Sequence, residues 1–267
     1  DTITLAQLVS HQAGLPGFVE PIDSAIWLDP PACAATLAPL APLWTPGTAH
    51  GYHPLTWGYL IGEVVRRIDG RTLGTILRED IAAPAKIDFQ IGTPAIDHTR
   101  VAEIMRPRAL PDLGEMNEAT RAAFATKWAA PDRGGAIWRE VEIPSANGIG
   151  TAKAVAQLYS IYANHGHLGD KEVIPSAGFE ALIEPRTKGQ DLVLPFITEF
   201  AAGVMRNNLN IYGPNQDTLC HSGWGGSLAL GDPARHLSAA YVMNRQSNSL
   251  QGDPRATRLV QALYGCL

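Results

Sequence analysis

The chain has 267 residues, 45% of them apolar and 18% charged, which is the balance of a folded globular protein and excludes a disordered chain. Its formal net charge of −5 and its five scattered lysines argue against nucleic acid as a partner, because phosphate binding needs clustered Lys and Arg. No stretch is apolar enough over enough residues to predict a membrane span. The sparse cysteines, Cys33, Cys220 and Cys266, do not describe a disulfide framework and slightly favour a cytoplasmic compartment.

Helical signals dominate the first part of the chain. Thr4 and Gln7 form a capping-box pattern at the start of a helix that carries Leu5, Leu8 and Val9. Residues 22–51 are rich in proline and predict a long connection with one short helix. Further helices are predicted over residues 55–69, 72–84, 112–128 and 151–164.

The pattern changes to strands after Phe200. The expected strands cover residues 203–206, 218–222, 227–230 and 237–243. Asp232-Pro233 predicts a hairpin between the last two, and Asp253-Pro254 begins a closing helix. Helices followed by a sheet predict an α+β fold, here one domain over 1–267 with a helical region roughly at 1–195 and the sheet and closing helix roughly at 196–267.

Several runs resemble, in order and nearly end to end, the family of serine β-lactamases, penicillin-binding proteins and family VIII carboxylesterases. Residues 3–16 resemble the segment "ITxxxLLSHTSGLP", residues 46–54 "PGTxFxYSN" and residues 58–74 "GxLLGxIIExxTGxxL". Residues 150–152 resemble part of "GGLxSTAxDLA", and residues 221–223 the third box, Lys-Thr-Gly or His-Thr-Gly. The resemblance implies the β-lactamase/transpeptidase-like fold, with an antiparallel sheet flanked by helices. It also implies hydrolysis of esters, amides or β-lactams through an acyl-serine intermediate.

The family's nucleophile is the serine of a Ser-x-x-Lys motif, in which the lysine amine lies one helical turn from the hydroxyl. No lysine in this chain has Ser or Thr three residues before it. Relatives carry the motif upstream of the segment that Ile3 begins, so we expect an N-terminally truncated chain that is inactive alone. The alternative is a non-catalytic binding module that keeps part of the cleft. An upstream Ser-x-x-Lys in the reading frame would favour the first hypothesis, and a start codon just before Asp1 the second.

By this resemblance, Tyr52 is the tyrosine that takes and returns the nucleophile's proton. Family members often place Asn two residues later, where this chain has Pro54, and the difference favours ester over β-lactam substrates. His53, beside Tyr52, is predicted to bind substrate. Without the family pattern, Tyr52 would be interpreted as a half-buried aromatic residue after a turn.

His221 occupies the position of the third-box lysine. An imidazole there can donate a hydrogen bond to Tyr52 or to a substrate carboxylate, so we predict that Tyr52 and His221 face one cleft. Ser222 and Gly223 are predicted to line the substrate site, and the Trp224 N–H to serve as one oxyanion donor. The alternative is a strand histidine on a solvated face.

Two other kinds of site are weaker. Residues 225–229 loosely resemble a G-x-S-x-G nucleophile elbow, which requires a strand followed by a helix. His50 and His53 lie in a turn without a nearby acidic or cysteine partner, and His165 and His167 belong to a loop at a helix end, so neither a metal nor a cofactor is predicted. The uncharged strand at 237–243 would lose its family neighbours in a truncated chain, and its exposed edge predicts self-association, a partner strand or marginal stability. The alternative is that the terminal helix or the long loop after Ile22 covers this edge.

Overall fold

The computed structural model describes residues 3–124 and 131–267, which fall into two compact units. The first unit lies within Asp1–Val101, Leu113–Ile149 and Gln190–Phe196. The second lies within Ala102–Asp112, Gly150–Gly189 and Ile197–Leu267. The assignment of residues 1–267 to a single domain stays a prediction. Across the described ranges, no helix has the length and apolar character needed to cross a membrane.

Local capping signals set where the helices begin. The helices of the described residues are α1 (Leu5–Val9), α2 (Pro30–Leu37), α3 (Thr56–Asp69), α4 (Leu73–Ile76), α5 (Ala83–Ala85), α6 (Glu118–Phe124), α7 (Ala136–Glu140), α8 (Ala152–Ala163), α9 (Ser176–Ile183) and α10 (Pro254–Gly265). The capping box at α1 is confirmed, because Thr4 Oγ1 accepts the Gln7 N–H at 3.2 Å and Gln7 Oε1 accepts the Thr4 N–H at 2.9 Å. Thr151 and Asp253 cap α8 and α10 in the predicted way.

Three helical predictions need correction. The 22–51 connection contains a 3₁₀ turn, Ser24–Leu28, in addition to α2. The helix expected over 72–84 widens into a π turn at Leu77–Ala82, immediately before Pro84, whose nitrogen cannot donate a hydrogen bond. Of the helix expected over 112–128, the structure shows α6, and residues 125–128 lie outside the described ranges.

The strands of the described residues are β1 (Phe89–Ile91), β2 (Gly148–Gly150), β3 (His167–Leu168), β4 (Lys171–Glu172), β5 (Thr187–Gln190), β6 (Ile197–Phe200), β7 (Met205–Arg206), β8 (Leu219–Ser222), β9 (Leu228–Asp232) and β10 (Leu237–Tyr241). The main sheet has the order β10-β9-β8-β7-β6-β5, and the pairs β1-β2 and β3-β4 form small sheets. The predicted hairpin is confirmed, since β9 and β10 pair antiparallel with Asp232 opposite Leu237. The sheet begins earlier than residue 196, because β5 belongs to it.

Each unit has its own apolar core. In the first, the buried side chains of Phe18, Trp27, Leu37, Tyr59 and Ile143 cluster, and the Tyr59 hydroxyl donates to the Trp27 carbonyl at 2.6 Å. In the second, Ala201, Val204 and Leu219 form a cluster under Tyr162, Leu182 and Ile183. Helix α8 packs on β9 and β10, which brings Gly231 against the Tyr159 carbonyl.

Strand β10 lies at one end of the main sheet as far as the described residues go. It is uncharged, whereas soluble proteins commonly protect such edges with Lys, Pro or a covering element. Backbone groups on its outer side therefore need water or another chain as partners.

We expect this edge to make the chain self-associate. Sedimentation velocity across a range of protein concentrations should show a rising sedimentation coefficient. Val242→Lys, at a 41% exposed position directly after β10, should reduce the association, whereas Leu259→Lys on α10, at a 58% exposed position, should not. A concentration-independent monomer in the wild type would contradict the prediction.

Candidate active site

Tyr52 lies in the first unit, on a turn just before α3 that belongs to no helix or strand. Its side chain is half-buried, with its ring 5.1 Å from the His11 ring between centroids. Its backbone N–H donates to both carboxylate oxygens of Asp191, at 3.0 and 3.2 Å. Burial first, and then the Asp191 charge, raise the pKa of Tyr52 to about 12, so the side chain is a phenol at neutral pH.

His53 is buried and ties this turn to two other segments. Its Nε2 accepts the Leu15 N–H at 3.0 Å, so the ring proton must be on Nδ1, which donates to the Gly51 carbonyl at 2.6 Å. Its backbone N–H donates to His11 Nδ1 at 3.2 Å. Burial lowers the pKa of His53 to about 4, against a smaller opposing effect of the Gly51 hydrogen bond. Because both ring nitrogens bond to the backbone, the geometry gives His53 a structural task, and its predicted contact with substrate stays a prediction.

His221 lies on β8 in the second unit, opposite Ala229 of β9, and is partly buried. Its Nδ1 bonds to the Ser222 carbonyl at 2.8 Å, which requires the proton on Nδ1. Burial lowers the pKa of His221, opposed by that hydrogen bond. With the proton on Nδ1, a neutral ring has a lone pair on Nε2, and the predicted donor role of His221 stays a prediction.

The turn between β8 and β9 carries Gly223 and Trp224. Gly223 N–H donates to the Ser227 carbonyl at 2.9 Å, and Gly226 N–H donates to the Gly223 carbonyl at 3.1 Å. Gly226 has φ of 112°, and a Cβ there would overlap the Asp253 carboxylate. This turn therefore depends on glycine for both its backbone conformation and its packing.

The Asp253 carboxylate lies against this turn at Gly226. It is buried and pairs with Arg255, whose Nε and Nη2 donate to it at 3.0 and 2.7 Å. The Arg255 hydrogen bond is the main reason that the pKa of Asp253 is lowered to about 2. The Gly225 carbonyl accepts the Ser247 N–H at 2.8 Å, which holds the turn beside the segment that leads to Asp253.

Ser222 is held by a neighbouring aromatic residue. Its Oγ lies 2.6 Å from the hydroxyl of Tyr212, which is buried, and Gln251 Nε2 donates to that hydroxyl at 3.4 Å. The elbow hypothesis for residues 225–229 is wrong, because the turn joins β8 to another strand, β9, and not to a helix. Among the residues that the structure describes, no group of three or more His, Cys, Asp and Glu side chains could hold a metal.

The structure thus brings Tyr52 together with His53, and His221 together with Ser222, Gly223 and Trp224. The two sets belong to different compact units, and the approach of Tyr52 to His221 stays a prediction. Sequence reasoning missed Asp191, which lies 139 residues after Tyr52, and saw in Asp253 only a helix cap. No local pattern marks a carboxylate whose partners are so distant in the chain.

Residues 1–263 match the family model described as Beta-lactamase. The chain belongs to the beta-lactamase family. A crystal structure of a penicillin-binding protein homolog from Caulobacter crescentus is 52% identical, with a TM-score of 0.96 over 100% of this chain and 72% of that one. A family VIII carboxylesterase structure is 38% identical, with a TM-score of 0.90 over 99% of this chain and 71% of that one. The β-lactamase-like fold is thereby confirmed.

Among curated proteins, the esterase/beta-lactamase LipL of Mycobacterium tuberculosis is 29% identical over 261 residues. The match covers 91% of this chain and 59% of LipL. This chain therefore spans less than two thirds of that relative's length.

The depressed pKa of His53 predicts how stability depends on pH. Between the ordinary value of 6.5 and about 4, the unfolded chain binds a proton that the folded chain does not. The free energy of unfolding should therefore fall as the pH falls through this window, by up to about 1.4 kcal/mol per pH unit for this residue. Urea unfolding at several pH values measures it.

His53→Gln should lower stability at pH 7 but flatten its dependence on pH below 6.5. The exposed His236 provides the control, because His236→Gln should leave the pH dependence as in the wild type. If His53→Gln retained the full acid sensitivity, the buried neutral imidazole would not be its source.

Proposed function

We propose that this chain forms the larger part of a serine hydrolase whose substrates are carboxylic esters, and that its nucleophile lies outside residues 1–267. The observation that carries the proposal is the Tyr52 turn. A tyrosine at the family's second-box position is fixed through its backbone N–H by Asp191, and burial followed by the Asp191 charge favours its neutral phenol form. One relative is named a family VIII carboxylesterase and LipL is named an esterase/beta-lactamase, and Pro54 offers no side-chain hydrogen bond for a β-lactam amide.

In the proposed reaction the serine Oγ attacks the ester carbonyl, the carbon–oxygen bond to the alcohol breaks, and water later releases the acid. A phenol can relay protons because its oxygen both donates and accepts. Tyr52 would accept the proton of the attacking hydroxyl while it passes its own proton towards the leaving alcohol. The Trp224 N–H would stabilise the oxyanion, since a fixed backbone donor needs no reorganisation during the reaction.

His221 would share the cleft with Tyr52 in this proposal. With its Nδ1 proton bonded to Ser222, its Nε2 would accept a hydrogen bond from the phenol or from the substrate. Such a bond would orient the Tyr52 hydroxyl towards the reacting atoms. The second candidate function, a binding module without turnover, keeps these contacts and lacks only the nucleophile.

We expect negligible hydrolysis by this chain alone. Loss of a nucleophile that acts together with its base costs on the order of a million-fold in kcat. Incubation with a chromogenic ester and a chromogenic cephalosporin measures it. Turnover well above buffer that Ser222→Ala or Ser227→Ala abolishes would show that the nucleophile lies within the chain.

The positive control is a protein extended upstream in its reading frame so that it includes a Ser-x-x-Lys motif. It should hydrolyse the ester, and Tyr52→Phe should lower kcat by about 100- to 10,000-fold. Full ester turnover by the Tyr52→Phe protein would remove Tyr52 from the mechanism. Binding without turnover in the extended protein would favour the binding module.

A further inference from the structure

Asp191 is a buried carboxylate whose hydrogen bonds lead to the Tyr52 turn. It is 3% exposed and accepts three backbone N–H groups. Tyr52 donates to both of its oxygens, and Val193 and Leu194 donate to Oδ1 at 2.8 and 2.9 Å. Burial of a carboxylate is unfavourable unless it is well hydrogen-bonded, so these N–H groups and Asp191 depend on one another.

The segment that carries Asp191 is fixed on both sides. On the side of the turn, Leu192 N–H donates to the His50 carbonyl at 3.1 Å. On the other side, Thr120 Oγ1 donates to the Val193 carbonyl at 3.1 Å and Asn117 Nδ2 to the Leu192 carbonyl at 3.0 Å. The Asp191 oxygens therefore hold a defined position relative to the Tyr52 backbone.

We propose that Asp191 is a positioning residue for Tyr52, which fixes the turn that presents the phenol and places a negative charge beside it. This rests on the proposed role of Tyr52 as a proton carrier. Because Asp191 accepts the Tyr52 backbone N–H, its carboxylate lies on the backbone side of the residue whose phenol it affects. Burial is the larger cause of the raised pKa of Tyr52, and the Asp191 charge adds to it, because a nearby negative charge makes a phenolate unfavourable.

Three histidines, His11, His50 and His53, lie in the same unit as Tyr52. The His11 ring packs on Tyr52, and its Nδ1 carries no proton because it accepts the His53 N–H. Burial holds the pKa of His53 at about 4, and burial lowers the pKa of His50 against the opposing charge of Asp191. The Asp191 carboxylate is therefore held by hydrogen bonds beside the Tyr52 backbone, with these histidines in the same unit.

If Asp191 only held the segment in place, its charge would not affect the ionisation of Tyr52, and substitutions can separate these two roles. Asp191→Asn keeps the size of the side chain and one acceptor oxygen but removes the charge. Thr120→Val is the matched control, because it removes one bond to the same segment and leaves the carboxylate in place. The two variants therefore separate the loss of charge from a looser segment.

The test uses the full chain with ¹³Cζ-labelled tyrosine, followed by NMR as the pH is raised, with the Tyr52 signal assigned by its loss in Tyr52→Phe. Wild type and Thr120→Val should keep the phenol signal to pH 11. Asp191→Asn should lower the ionisation midpoint by about one pH unit or more. Equal midpoints in Asp191→Asn and wild type, or an equal fall in both variants, would overturn the proposal.

Asp191→Glu covers the case in which Asp191→Asn does not fold. It keeps the charge and displaces the carboxylate, so the high midpoint should persist while hydrogen exchange of the Tyr52 amide accelerates at least tenfold. A lowered midpoint in Asp191→Glu would show that the charge is not the cause. Neither the ionisation midpoint nor the amide exchange requires hydrolysis. An absence of ester hydrolysis would therefore not change the conclusion about Asp191, and a negative result for Asp191 would not exclude ester hydrolysis.

Discussion

The Tyr52 turn has no regular secondary structure, so its buried backbone groups must find partners among side chains. His11 and Asp191 supply acceptors from distant parts of the chain, and His53 bonds the Gly51 carbonyl within the turn and the Leu15 N–H outside it. A buried N–H group that loses its acceptor costs about 1–3 kcal/mol, so each of these side chains is hard to replace. The constraint also explains the protonation states, because His53 and His11 can accept backbone N–H groups only as neutral rings.

The second unit also contains buried carboxylates that are held by hydrogen bonds. Asp253 is buried against the Gly226 turn, and Asp232 accepts the Tyr264 hydroxyl at 2.6 Å and the Asn215 side-chain amide at 2.9 Å. In both units, polar side chains with long-range partners hold short, irregular segments near the candidate site residues. Such segments are pre-organised by hydrogen bonds as well as by apolar packing, which is what fixed donors and acceptors in a catalytic site require.

The features that could be predicted from the sequence are those that depend on residues close together in the chain. Capping residues such as Thr4 and Thr151 mark helix starts because the side chain and the N–H group it accepts are three residues apart. The β9-β10 hairpin was predictable from its turn residues, and the family resemblance selected Tyr52 and His221. Strands β3 and β4 have two residues each, and β5 is polar throughout, so none shows an alternating pattern. The roles of Asp191 and His53 depend on partners that only the fold brings near.

Hydrogen exchange of individual backbone amides tests the central claim most directly, because the claim concerns N–H groups that bond to side chains outside any helix or strand. The amides of Tyr52, His53 and Leu15 should exchange as slowly as those of buried strand residues such as Leu219 and Leu230. Exchange of these three amides at the rate of an exposed loop residue such as Gly169 would contradict the account.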